Sequence, residues 1–144
     1  MDRMIDEDLR QSAAATAPIT DWRIEVVSIP VTDVDRAKAF YVDQVGFTAD
    51  HDHQVNENLR FVQLTPPGSA CSIVIGTGLT TMTPGSQRDL MVVIPNADDA
   101  RAHLLARGVE ASEVDEQEWG RFVYFADPDG NTWALQELPN YAQS

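Results

Sequence analysis

With 144 residues, 23 acidic against ten basic side chains and a formal charge of −13, the chain has the length of one ordinary domain and repels the phosphates of nucleic acid and of anionic membranes. Its apolar runs are strand-sized, well short of the roughly 20 residues of a membrane span, and a single cysteine, Cys71, rules out an internal disulfide. The expectation is a soluble, cytoplasmic protein that binds neither nucleic acid nor membrane.

The first stretch, residues 1–21, is acidic where a secretory signal is basic and shows no sustained period, so it is read as a flexible arm. "WRIEVVSIPV" is rich in β-branched residues and reads as a strand opened by Trp22. Asp33 then caps "VDRAKAFYVDQV", whose Ala37, Phe40, Tyr41 and Val45 make an apolar stripe at helical spacing, and Gly46 closes it. "FTADHDH", "NLRFVQLT" and "ACSIVIG" supply three strands and complete a βαβββ module over residues 22–76, with Cys71 a small buried hydrophobe. Residues 77–88 form an aperiodic linker of threonine, glycine and proline.

The order then repeats over residues 89–138: strand "DLMVVIP", a helix "ADDARAHLLAR" capped by Asn96 and ended by Gly108, and strands "VEASEVD", "GRFVYFA" and "NTWALQE". Asp127-Pro128-Asp129-Gly130 is turn chemistry and joins the last two strands as a hairpin. A short tail, 139–144, follows. Asp33 with Asn96, Gly46 with Gly108, Arg60 with Arg121 and Gly68 with Gly130 recur at offsets of 61 to 63, which marks an internal duplication. Each half is too small to bury its own sheet, so the two are expected to pair and enclose a ligand between them.

The helix motif "VTDVDRAKAFYVDQVGF" and the closing "DPDGNTWALQE" resemble the vicinal oxygen chelate superfamily, which includes glyoxalase I, extradiol dioxygenases and the fosfomycin and bleomycin resistance proteins. The resemblance implies an α+β fold, two tandem βαβββ modules forming a curved eight-stranded mixed sheet around a central cleft, and a homodimer. It also implies where a divalent metal sits in the catalytic members: on side chains of the first and last strands of each module, where the ion acts as a Lewis acid. Seven residues before the capping Asp33 stands Val26, and seven beyond Asp127 stands Ala134; neither coordinates. The match of Gly68 to Gly130 places Ser72 at the corresponding position of the first module, and the match through Asn96 places Asp89 in the second. One carboxylate does not make a metal site, so no cofactor is expected, a divalent ion being possible only with an incomplete ligand set.

The resemblance with this uncharged lining therefore implies a protein that binds a small, largely apolar organic molecule in the manner of antibiotic-sequestering relatives. The expected lining is Val26, Ser28, Gln63, Ser72, Asp89, Met91, Trp119, Tyr124, Ala134 and Gln136. Gln63 and Tyr124 correspond across the duplication, and Trp119, in a loop, is placed to cap a ring by stacking or simply to cover the core. Arg60 and Arg121 should face outward in surface ion pairs. The alternative is a glyoxalase- or isomerase-type enzyme, with Asp89 as general base or with a metal held by a shifted set such as His51, His53 and Asp89. His51 and His53 are otherwise a solvated strand end, His103 a packing residue with a polar tip, and Trp22 and Trp133 structural.

Overall fold

A computed structural model describes residues 17–140. Eight strands divide into two mixed sheets of four, which do not close into a barrel. The first contains β1 (Val26–Ser28), β2 (Thr48–Asn56), β3 (Leu59–Thr65) and β4 (Ser72–Thr77) in the order β1-β4-β3-β2; the second contains β5 (Leu90–Val93), β6 (Asp115–Gln117), β7 (Gly120–Ala126) and β8 (Thr132–Glu137) in the order β5-β8-β7-β6. In each, the first strand pairs parallel to the last and the other neighbours are antiparallel. This is the βαβββ pattern read twice, with helix α1 (Val34–Ala39) crossing over in the first half and α2 (Ala97–Ala106) in the second. Most of the expected arm lies within residues 1–16, and the end of the tail within 141–144, outside the described residues.

The two helices start where capping chemistry puts them. Asp33 accepts from the Arg36 amide at 3.0 Å and Asn96 from the Asp99 amide at 2.9 Å. The first helix then differs from expectation: over Phe40–Val45 it widens into a π-helical segment, because the Gly46 amide (2.9 Å) and the Phe47 amide (2.8 Å) both reach back to the Tyr41 carbonyl, with Gly46 at a φ of 107°.

Strand alternation puts one face of each sheet against the helices. Val62, Leu64, Ile73 and Ile75 of the first sheet and Val123, Phe125, Trp133 and Leu135 of the second join Ala37, Phe40, Tyr41 and Leu104 in one buried cluster that spans both halves. Arg60 and Arg121 border this helix-facing side. Arg60 grips Asp52 through Nε (3.0 Å) and Nη2 (2.9 Å) and Asp35, in the first turn of α1, through Nη1 (2.8 Å). Arg121 repeats the arrangement with Glu116 (3.0 Å), Asp98 in the first turn of α2 (3.1 Å) and Glu137 (3.0 Å). Both are ion pairs, as expected, each tying a strand to a helix start where a carboxylate is favoured.

A buried polar network joins the halves at the closing turn. Asp127 is 5% and Asn131 0% exposed. The Asp127 carboxylate accepts from the Tyr41 hydroxyl (2.8 Å), from Asn131 Nδ2 (2.8 Å) and from the backbone amides of Asp129 and Asn131 (both 2.9 Å). Trp133 Nε1 donates to the Tyr41 hydroxyl at 2.9 Å, and Asn131 Nδ2 also reaches the Pro30 carbonyl at 2.8 Å. Burial, with the Asp127 carboxylate adding to it, pushes the Tyr41 phenol far above its usual range, so it stays a neutral donor. The linker is stitched to the same corner: Gly85 donates to the Pro30 carbonyl (3.1 Å) and the Gln87 amide to Asn131 Oδ1 (3.0 Å).

Two expected strands are shorter than their sequences suggest. β4 begins only at Ser72, whose amide donates to the Glu25 carbonyl at 3.0 Å, so the β1–β4 ladder stops there and Trp22 stands 78% exposed rather than structural. "VEASEVD" yields only Asp115, because the side chain of Ser112 takes the Tyr124 amide (2.9 Å) and interrupts the ladder beside β7. Trp133 is buried as expected. His103 Nε2 donates to the Val45 carbonyl at 2.8 Å while Nδ1 accepts from Arg107 Nη1 at 3.0 Å, a packed ring with polar ends.

Candidate functional site

The face of each sheet turned away from the helices carries the expected lining residues, but as two clusters. On the second sheet, Asp89, Met91, Trp119, Tyr124 and Ala134 surround a hollow of about 510 Å³ together with Gln117 and Phe122. Alternation explains the grouping: Phe122 and Tyr124 share a face of β7, Ala134 lies opposite Tyr124 on β8, and Met91 lies beside Ala134 on β5. Gln136 supports the rim by donating from Nε2 to the Trp119 carbonyl at 3.0 Å. Met91 is 54% and Trp119 57% exposed, so apolar surface is open here, while the Phe122 and Tyr124 rings stack at 6.1 Å and 9°.

Tyr124 donates to Asp115 Oδ2 at 2.7 Å, and Gln117 Nε2 donates to the other oxygen at 2.9 Å. The bond to Asp115 first, then burial, then the charges of Asp115 and Asp89, push the Tyr124 phenol up to about 12. It remains a hydrogen-bond donor throughout the neutral range. Asp89 enters β5 at a positive φ of 54°; its amide donates to Thr132 Oγ1 at 2.7 Å, and that hydroxyl lies 3.3 Å from its carboxylate.

On the first sheet, Ser72 is buried and central. Gln63 Nε2 donates to its hydroxyl at 3.2 Å, Thr65 Oγ1 lies 2.6 Å from it, and Thr65 in turn donates to Asp50. Val26 pairs with Ser72 and Ser28 with Val74 across the parallel ladder. His51 and His53 lie parallel at 5.9 Å on the same strand face, both against Phe61. Ser72 and Met91 meet in a groove of about 320 Å³ between the halves, with Cys71 at its edge; the remaining first-sheet residues are not part of the hollow on the second.

Strand register refines the correspondence between the halves. Gln63 pairs with Val74 as Tyr124 pairs with Ala134, and Val26 lies opposite Ser72 as Asp89 lies opposite Thr132. The first-module equivalent of Ala134 is therefore Val74, and Ser72 corresponds to Thr132; the glycine match runs two places off, one because the loop at 66–71 is a residue longer than the one at 127–131 and one because Gly130 stands a place later in its loop than Gly68 does. At the four equivalent places stand Val26, Val74, Asp89 and Ala134, only one of which can ligate. The shifted set of His51, His53 and Asp89 is not assembled either: among the described residues no three of His, Cys, Asp and Glu are grouped to hold an ion. The donor set does not fit the superfamily's metal. Sequence reasoning missed Gln117, Phe122 and Asp115; Phe122 was legible from alternation with Tyr124, whereas Asp115 needed the register of β6.

The fold agrees with comparisons to known proteins. The chain belongs to the glyoxalase/bleomycin resistance protein/dioxygenase superfamily, whose sequence profile matches residues 23–135. It is 30% identical over 119 residues to the uncharacterised protein YetH of Bacillus subtilis (strain 168), covering 80% of this chain and 98% of that one. Among solved structures it is similar to TnmS3, an antibiotic binding protein from Streptomyces sp. CB03234, with 35% identity, a TM-score of 0.77 and coverage of 85% and 100% of the two chains. A glyoxalase/bleomycin resistance protein from the same organism gives 37% identity, a TM-score of 0.71 and coverage of 80% and 100%. Among the described residues no helix is long and apolar enough to cross a membrane.

Proposed function

We propose that the protein binds a small, largely apolar organic molecule of the antibiotic kind and holds it without a metal, in the hollow of the second sheet. One observation carries this reading: an open aromatic hollow, with Met91, Trp119, Phe122 and Tyr124 around it, contains the two metal-equivalent positions of the second sheet, Asp89 and Ala134, of which only Asp89 can ligate. The likeness to an antibiotic binding protein over its full length supports it. Affinity comes from covering exposed apolar surface at about 25 cal/mol per Å², with the Tyr124 hydroxyl and Gln117 orienting polar groups. The working unit is a homodimer, in which the exposed helix-distal face of one sheet is covered by the partner copy.

The test is calorimetric titration with a panel of planar aromatic antibiotics and dyes, alongside elemental analysis. At least one micromolar ligand is expected, weakened about tenfold or more by Trp119→Ala. Stoichiometric bound metal, or no ligand in the panel tighter than millimolar, defeats the reading. A second reading, proton abstraction by Asp89, is favoured by that residue's positive φ in the wall of the hollow, a conformation uncommon outside glycine; loss of turnover with retained affinity in Asp89→Asn supports it over simple binding.

A further inference from the structure

The charge of the hollow is unusual for a pocket otherwise built of rings. Two carboxylates bear on it: Asp89 in its wall, and Asp115, which lies opposite Phe122 in the β6–β7 ladder and holds Tyr124 and Gln117. Neither takes part in any salt bridge among the described residues, although Asp35, Asp52, Asp98, Glu116 and Glu137 are all engaged by Arg60, Lys38 or Arg121. Arg88, the neighbour of Asp89, turns its Nη1 to the Gly130 carbonyl at 2.6 Å. The donors that do reach these carboxylates, Thr132, Tyr124 and Gln117, are neutral.

We infer that the ligand is an organic cation, a protonated amine or quaternary ammonium carried on a flat ring system, with the ring against Phe122, Tyr124 and Trp119 and the positive charge between Asp89 and Asp115. This names the ligand class for the binding function proposed above and rests on it. Two physical arguments converge. A neutral ring laid over the hollow strips water from two carboxylates and returns nothing, which opposes binding. A cation replaces that water with charge and is attracted as well by the negative faces of the aromatic rings. The Tyr124 phenol, raised first by its bond to Asp115 and then by burial, is also raised by the charges of Asp115 and Asp89, which places both carboxylates within reach of the same ring.

The test uses two probes of one ring frame, 9-aminoacridine, protonated in neutral solution, and acridine, uncharged, titrated calorimetrically at about pH 8. Wild-type protein should bind 9-aminoacridine at least about tenfold more tightly than acridine, with a preference that falls as sodium chloride is raised. Asp89→Asn with Asp115→Asn should abolish the preference and leave acridine as tight or tighter. Glu57→Gln with Glu110→Gln, which removes two exposed charges outside the lining of the hollow, should leave the preference intact and so separates the site from the general field of an acidic protein. Equal affinity for the two probes, a salt-independent preference, or a preference that survives in the Asp89/Asp115 variant overturns this inference and leaves the small-molecule reading standing. Binding of neither probe overturns this inference, and the small-molecule reading falls with it only if the antibiotic and dye panel also gives no ligand.

Discussion

Tyr41 shows how much a single side chain can carry in this fold. Its hydroxyl donates to Asp127 and accepts from Trp133, so Tyr41→Phe leaves an indole N–H without an acceptor and a buried carboxylate one donor short. A loss of about 1–3 kcal/mol in urea unfolding is expected, and a change below about 0.5 kcal/mol would show that the network is not a stabilising one. Gly85 is a second such point: at a φ of 82° an added Cβ would meet the Asp129 carbonyl at 2.2 Å. Gly85→Ala should destabilise by more than the ~1 kcal/mol a Gly-to-Ala change normally moves stability in either direction, read by the same unfolding midpoint. The sequence already displayed the turn at Asp127 through Gly130, because proline and glycine announce it locally. That Asp127 would be sealed beneath Tyr41, 86 residues away, depends on packing and has no local sign.

Between residues and the whole lie the clamps that fasten sheets to helices. Bonds from Arg60 first, and then from Lys38, hold the Asp52 carboxyl well below the usual carboxylate range. A carboxyl depressed in the folded state adds stability above its unfolded pKa and loses it as the pH falls through the folded value. Asp52→Asn should therefore cost up to about 1 kcal/mol near pH 7, and thermal melts of variant and parent should converge in strong acid; a constant gap across pH would contradict the assignment. Helix limits were legible because caps and terminal glycines are local, and β3, β7 and β8 because alternation is clean. β1 and β6 were overestimated, since a strand's length depends on what lies alongside: β4 starts at Ser72, and Ser112 diverts a ladder bond with its own hydroxyl. The glycine landmark likewise carried Ser72 into a place that pairing assigns to Val74, because the two glycines stand at different places in loops of different length.

At the scale of the molecule, the duplication and the fold class were readable from recurring landmarks, whereas the division of lining residues between two open sheet faces was not. Met91 and Val93, 54% and 59% exposed on the outer face of β5, are apolar surface that a second copy would cover. Sedimentation velocity at micromolar concentration should thus give a dimer, and Val93→Asp should shift it toward monomer; a monomeric parent protein would set the homodimer aside. The cross-half network has a further consequence. In the correspondence fixed by strand pairing, the counterpart of Tyr41 is Leu104 and that of Asp127 is Pro66, so the phenol exists only in the leading repeat and its acceptor only in the trailing one. Two leading repeats in tandem would have hydroxyls with no carboxylate, and two trailing repeats the reverse. Divergence has made the ancestral twins into complementary, non-exchangeable pieces, and a chimera built from either one alone is expected not to fold.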